Sequence, residues 1–94
     1  MKPLKPAHRE NKRYLLIRGK DLKKNVNFAI KDFIGILGMS KVALSWIEEK
    51  GDRGIICINR ESLEHVRASF AVWGEKIEVV RVSGTLKGLR SLKG

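Results

Sequence analysis

The groups in this sequence that could carry out catalysis or bind a metal are few and scattered. His8 and His65 are far apart along the chain, neither has a second histidine at ligand spacing, and Cys57 is the single cysteine. Hydrolysis, zinc binding and disulfide formation each need such groups in clusters. The glutamates that come in pairs look like charges on a hairpin and at a helix start: Glu48, Glu49, Glu61 and Glu64. The sequence therefore predicts no catalytic residue, no metal ligand and no bound cofactor, with Cys57 in a packing role.

Positive charge is the chemical property that stands out. Twenty Lys and Arg residues against ten Asp and Glu residues give a formal net charge of +10 on 94 residues. Residues 1–13 hold five basic residues and one acid, and residues 81–94 hold four basic residues and no acid. Such a balance favours a polyanionic partner, because Lys and Arg neutralise phosphates and release counterions. Nucleic acid is the first candidate, an anionic membrane surface is a distant second, and solvated tails are the simpler alternative.

Length and hydropathy limit the remaining classes. Ninety-four residues are enough for one two-layer domain and too few for a second core. No apolar run approaches the roughly 20 residues that a bilayer span needs, and residues 1–6 lack the apolar stretch of a secretory signal. We therefore expect a soluble, cytoplasmic chain without a membrane partner.

Hydrophobic patterns predict the elements that must position the charges. Residues 1–11 contain both prolines and show no periodicity, which predicts a flexible basic arm. Residues 13–18 form an aliphatic and aromatic run closed by a glycine, which is typical of a buried strand. A helix is then predicted from a cap at Asn25 to a C-terminal turn at Gly38. Its apolar residues recur at helical spacing: Val26, Ile30, Phe33 and Leu37.

A hairpin and a second helix are predicted to follow. Residues 41–48 alternate as a strand, and a turn over residues 51–54 joins them to a partner strand over residues 55–59. Asn59 is placed to cap a helix that ends before Gly74. One stripe of that helix is apolar: Leu63, Val66, Phe70 and Trp73.

The last strand completes a recognisable order of elements. Residues 75–82 are rich in β-branched side chains, and the basic C-terminal segment 84–94 has a leucine at every third position, which predicts a short helix or a tail ordered by a partner. The order β-α-β-β-α-β over residues 12–83 predicts an α+β, ferredoxin-like fold, as in RNA-recognition domains. Right-handed crossovers place both helices on one face of a four-stranded antiparallel sheet. The other face is expected to be uncovered.

The uncovered face lacks the aromatic residues of an RNA-recognition motif. In that motif two or three aromatic side chains on the central strands stack on bases, whereas here Tyr14 is the sole candidate. Phosphate and shape recognition by Lys and Arg is therefore favoured over base-by-base readout. Leu16, Ile47 and Ile55 would add apolar surface, so the open face and the strand edges are expected to bind protein at least as much as RNA.

Three short motifs, the second of them in two parts, resemble one known family. They are residues 12–15 (KRYL), residues 54–60 (GIICINR), residues 66–68 (VRA) and residues 83–87 (SGTLK). Between about residues 12 and 90 the chain resembles the ribonuclease P protein component 2 family, also called the Pop-five family, of archaea and eukaryotes. Cys57 departs from the family, which often has a basic residue there. The compactness of the chain favours an archaeal source.

The resemblance implies a ferredoxin-like fold without the usual aromatic motifs, and a role in the ribonucleoprotein that removes the 5′ leader of precursor tRNA. The RNA would carry the magnesium-dependent chemistry, so this chain would be an accessory subunit without an active site. The implied partners are ribonuclease P RNA, precursor tRNA through the complex, and the TIM-barrel-type ribonuclease P protein component 3 in a heterotetramer. A generic basic RNA-binding or ribosome-associated protein is the alternative. A small-molecule sensing domain or a protein scaffold with this fold is the third hypothesis, and it would not explain the net charge of +10.

The residues predicted to bind RNA lie on the first strand and in the basic ends. Lys and Arg side chains would contact phosphates, Ser83 and Thr85 offer hydroxyl donors, and the glycine between them permits a close backbone approach. Because strands one and three are central in such a sheet and strand four is an edge, the two basic segments could border one surface. The full set is Lys12, Arg13, Tyr14, Arg18, Arg60, Arg81, Ser83, Thr85, Lys87 and Arg90.

Overall fold

Runs of branched aliphatic side chains form a four-stranded antiparallel sheet, as their strand propensity predicts. The computed structural model describes residues 12–91, and the predicted arm over residues 1–11 lies outside them. The strands follow the order β2-β3-β1-β4, so β1 and β3 are central and β2 and β4 are edges. Their bounds are β1 Lys12–Arg18, β2 Ser45–Lys50, β3 Arg53–Asn59 and β4 Glu78–Ser83.

Helices cover one face of this sheet and close the core. The helices are α1 Leu22–Ile34, α2 Ile36–Val42, α3 Leu63–Val72 after a single 3₁₀ turn over Arg60–Ser62, and α4 Leu86–Ser91. The buried residues of α1 repeat at spacings of three and four, so one side of the helix meets the sheet. The predicted ferredoxin-like fold is confirmed. Its core cluster contains Leu15, Ile17, Leu22, Val26, Ala29, Ile30, Val42, Ile56, Ile58, Val66, Phe70 and Ile77.

The region between α1 and β2 differs from the prediction. Gly35, with φ of 91°, ends α1 and starts a separate helix α2, whereas Gly38 lies inside that helix. Only glycine reaches such a conformation without strain. The strand predicted to begin at residue 41 begins at Ser45, and Val42 reaches the core from the helix instead. An apolar residue at position 42 fits the core side of a strand and the core side of a helix equally well. The alternating pattern therefore could not distinguish the two conformations here.

Asn25 was predicted to cap α1, and this prediction is wrong. Its backbone N–H donates to the Asp21 carbonyl oxygen at 2.9 Å, which places Asn25 within the helix, and Asp21 precedes the helix with φ of 43°. The Asn25 side chain donates to the Lys20 carbonyl oxygen at 2.8 Å and accepts from Trp73 Nε1 at 3.1 Å. The role of Asn25 is thus to satisfy an indole N–H at the contact between α1 and the end of α3, because such a donor needs a partner when it is removed from water.

Both edges of the sheet carry a bulge. In the β2–β3 pair the register shifts between Trp46 and Glu48. In the β1–β4 pair Arg81 is opposite Leu16 and Val79 is opposite the next residue of β1, so the register shifts between them. One residue in each edge strand, Ile47 and Val80, is therefore left without a partner, and both are exposed. Such bulges twist an edge strand and interrupt its row of backbone hydrogen-bonding groups.

The second face of the sheet is partly covered by α4, so the expectation of an uncovered face is wrong there. Strand pairing sets Leu16 opposite Ile55 and Tyr14 opposite Cys57, with side chains pointing away from the core. Three buried residues lie outside the core cluster: Ile55 and Cys57 of β3, and Leu89 of α4. Because α4 packs on β1 and β4, we assign their burial to this second, smaller contact. Ile55 is thus not part of an exposed apolar surface.

No helix within residues 12–91 has both the length and the apolar character needed to cross a membrane.

Candidate nucleic-acid interface

The antiparallel pairing brings the two basic segments of the sequence together. Tyr14 near the start of β1 pairs with Ser83 at the end of β4, and Lys12 pairs with Asn59 at the end of β3. The start of β1, the end of β3 and the end of β4 therefore lie together at one end of the sheet, with the residues that directly follow β3 and β4. We call this set the basic end, and it comprises Lys12, Arg13, Arg60, Ser83, Thr85 and Lys87.

Arg13 is held against the turn that follows β4. Its Nη1 donates to the Lys12 carbonyl oxygen at 2.9 Å. A Cβ atom at Gly84 would lie 3.3 Å from the same Nη1, so the guanidinium group lies directly beside the glycine. The close approach that we expected Gly84 to permit is thus made within the chain, by Arg13. The contact orders one cation of the basic end.

Hydroxyl groups organise the start of α4. Ser83 Oγ accepts from the Thr85 backbone N–H at 3.2 Å, and Thr85 Oγ1 accepts from the Gly88 backbone N–H at 2.9 Å. Thr85 thereby caps α4, as threonine does at many helix starts. A hydroxyl that accepts in this way keeps its own hydrogen to donate. Ser83 and Thr85 therefore combine a structural role with the capacity to donate to a phosphate oxygen.

Asn59 links the basic end to the helix layer. Lys12 Nζ donates to Asn59 Oδ1 at 3.2 Å, and Asn59 Nδ2 donates to the Lys41 carbonyl oxygen at 2.6 Å. Lys41, in the last turn of α2, is thus brought near the cations of β1. Lys41 is not among the residues that the sequence predicted to bind RNA, and the alternating pattern had placed it at the start of a strand.

Three of the predicted RNA-binding residues lie away from the basic end. Arg18 is at the opposite end of β1, where its Nη2 lies 3.3 Å from Glu78 Oε1. Arg90 Nη2 lies 2.8 Å from Glu48 Oε1. Arg81 pairs with Leu16 near the middle of the edge strand β4. Both ion pairs are about half exposed, so each adds little to stability. Their main effect is to engage two cations within the chain.

Tyr14, the one predicted stacking residue, is half-buried beside Cys57 on the face that α4 partly covers. Burial raises the pKa of the Tyr14 phenol above its ordinary value of 10.0, and Cys57 raises this pKa further through a coulombic interaction and a side-chain hydrogen bond. An environment that disfavours the phenolate keeps this side chain neutral at ordinary pH.

The single tyrosine makes this pairing testable by ultraviolet titration. We expect Cys57→Ala to lower the tyrosine pKa in the folded chain towards 10.0 without reaching it, because burial is the larger cause. In the wild-type chain the unfolded state ionises first, so the contribution of Tyr14 to stability is complete below pH 10.0 and is lost as the pH rises through the folded-state pKa. Identical titration curves for the variant and the wild type would show that Cys57 has no part in the shift.

Within residues 12–91, no three His, Cys, Asp or Glu side chains come together in a way that could hold a metal ion. The cations and hydroxyl groups of the basic end can form hydrogen bonds with an anion and neutralise its charge.

Comparisons with known proteins give named relatives and a structural neighbour. No protein-family model matches the chain. Ribonuclease P protein component 2 of Methanococcus maripaludis strain C6 is 29% identical over 104 aligned residues, which cover 96% of this chain and 80% of the relative. The protein of the same name from strain S2 matches with the same identity and coverage. A chain in the cryo-EM structure of yeast ribonuclease MRP matches with a TM-score of 0.67 at 16% identity, over 100% of this chain and 83% of that one. This last match supports the fold.

Proposed function

We propose that this chain, a member of the ribonuclease P protein component 2 family, is a protein subunit of ribonuclease P, the ribonucleoprotein that removes the 5′ leader of precursor tRNA. The observation that carries the proposal is the match to named relatives along 96% of the chain. The fold, shared with a chain of yeast ribonuclease MRP, agrees with it. The sequence motifs predicted the same family.

The basic end suggests how such a subunit would act. Lys12, Arg13 and Lys87 present cations at one end of a rigid sheet, and Ser83 and Thr85 add hydroxyl donors. Groups of this kind contact phosphates and fix the position of a nucleic acid without reading its sequence. In our proposal the RNA carries the magnesium-dependent chemistry, and this chain neutralises and orients the RNA backbone.

The proposed protein partner is ribonuclease P protein component 3, in a heterotetramer with two copies of each subunit. Large apolar side chains are exposed on α1, at the end of α3 and on both sheet edges, and such residues supply the contact area of protein interfaces. They are Phe28, Phe33, Val72, Ile47 and Val80. Their exposure supports a protein partner.

A reconstitution assay tests the proposed function. We expect the RNA-free protein to leave precursor tRNA uncleaved, and we expect its addition to ribonuclease P RNA and component 3 to increase the rate of 5′-leader removal. The physical reason is that phosphate neutralisation lowers the free energy of the folded RNA with its substrate. Magnesium-dependent cleavage by the protein alone, or an unchanged rate on its addition, would contradict the proposal. Binding to RNA without binding to component 3 would favour the generic RNA-binding alternative.

A further inference from the structure

An open groove lies between α2 and the turn before α3, on the helix side of the basic end. Its volume is about 420 Å³, which lies within the range of small-molecule sites. The groove is thus large enough for one nucleotide. It is lined by Ile34, Gly38, Lys41, Val42, Asn59, Glu61, Ser62 and His65.

The apolar part of the groove is formed where α1 and α2 meet. Ile34 is half-buried and Val42 is almost fully buried. A Cβ atom at Gly38 would collide with the Ile34 side chain, so the glycine is what lets these two helices approach. The accessible apolar surface of the groove is therefore that of Ile34, with Val42 packed behind it, and such a surface can contact the flat face of a base.

The polar part of the groove does not suit a phosphate alone. Lys41 supplies a cation and Ser62 a hydroxyl, but Glu61 supplies a carboxylate, which repels a phosphate. A carboxylate instead accepts hydrogen bonds from the N–H groups on the edge of a base. His65 adds a ring that can stack on a base, as histidines do in RNA-binding proteins.

The groove is continuous with the basic end. Asn59, which lines the groove, accepts from Lys12 Nζ at 3.2 Å and donates to the Lys41 carbonyl oxygen at 2.6 Å. An RNA strand held by Lys12 and Arg60 would therefore pass the mouth of the groove. Proteins that recognise single-stranded RNA commonly take splayed bases out of the stack in this way.

We propose that this groove binds one unstacked RNA nucleotide, with its base against Ile34 and its N–H donors directed at the Glu61 carboxylate. Guanine fits best, because two neighbouring N–H donors on its Watson–Crick edge match the two oxygens of one carboxylate. Lys41 and Lys12 neutralise the phosphates on either side. The inference rests on the proposed function, since it requires RNA as the partner.

Short oligonucleotides test this site in the full-length chain. We expect a single-stranded RNA with one central guanine to bind about tenfold more tightly than oligouridine of the same length. Glu61→Gln should reduce that ratio to about one, and it should raise the affinity for oligouridine no more than Glu64→Gln does, because each variant removes one negative charge. Glu64→Gln is the matched control, because Glu64 is exposed three residues further along the chain and does not line the groove.

Nuclear magnetic resonance locates the binding. Guanosine 5′-monophosphate is expected to shift the backbone amide signals of Gly38 and Ser62, whereas inorganic phosphate at the same concentration should leave them in place. Equal shifts with phosphate, or equal guanine preference in the Glu61 and Glu64 variants, would overturn the nucleotide site while RNA binding by the basic end remained. Failure of the wild-type chain to bind any RNA at low salt would instead overturn the proposed function.

Discussion

Replacing Lys12, Arg13 and Lys87 together by Ala is expected to weaken RNA binding at every sequence alike. The three cations lie on the two segments that strand pairing brings together at the basic end. If each contacts one phosphate, the slope of the logarithm of the binding constant against the logarithm of salt concentration should become shallower by up to about one unit per contact. The measurement is a filter-binding or fluorescence titration at several salt concentrations.

A second triple variant controls for net charge. Lys23, Lys24 and Lys31 are exposed on α1, and none of them belongs to the basic end. Their replacement by Ala removes the same three charges, so the general attraction between chain and RNA falls equally. We expect this control to keep most of the wild-type slope. Equal losses in the two variants, with both folds intact by circular dichroism, would mean that affinity follows net charge and not the basic end.

Leu89→Ala is expected to lower the free energy of unfolding by about 2 kcal/mol. Leu89 is 3% exposed and lies in α4, and Ile55 and Cys57 on the second face of the sheet are buried with it. Removal of the leucine side chain leaves part of this apolar contact open to water. The value lies at the lower end for buried leucines, because α4 has six residues and can detach without unfolding the sheet. Urea denaturation measures the loss.

The single cysteine gives an independent readout of the same contact. Cys57 is 8% exposed, so a thiol reagent should reach it faster once α4 is loosened by Leu89→Ala. Val72→Ala is a suitable comparison, because Val72 is 67% exposed and its truncation should cost less than about 0.5 kcal/mol. A thiol reaction rate that stays unchanged in the Leu89 variant would show that α4 does not protect this face.

The sheet and the two long helices could be predicted from the sequence because their apolar residues repeat at unambiguous periods. The run from residue 13 to residue 18 and the stripe of α3 admit one interpretation each. Residues 36–42 could be interpreted either as a helix or as part of a strand, since a seven-residue helix carries too few turns to establish a period. There Gly35 was the decisive residue, and its φ of 91° depends on how the chain must turn between two packed helices.

The basic residues at the two ends of the sequence were chosen as candidates for RNA contact, and that choice stays a prediction, whereas their arrangement could be predicted only in part. The predicted topology allowed Lys12 and Arg13 to border the same surface as the segment after β4, and the observed pairing of β1 with β4 shows that they meet. Lys41 could not be assigned, because its proximity to Lys12 depends on the two hydrogen bonds of Asn59. Likewise, the pairing of Arg90 with Glu48 depends on how α4 crosses the sheet, and that path is set by tertiary packing.

The bulges at Ile47 and Val80 have a consequence for molecules that meet at high concentration. If a second copy added its own edge strand, its backbone N–H and C=O groups would no longer lie opposite their partners beyond the bulge. The growth of a continuous intermolecular sheet is thereby discouraged at both ends of the strand order. The edge strand β2 can thus keep the apolar side chain of Ile47 exposed while the pairing of copies, strand upon strand as in fibres, is opposed.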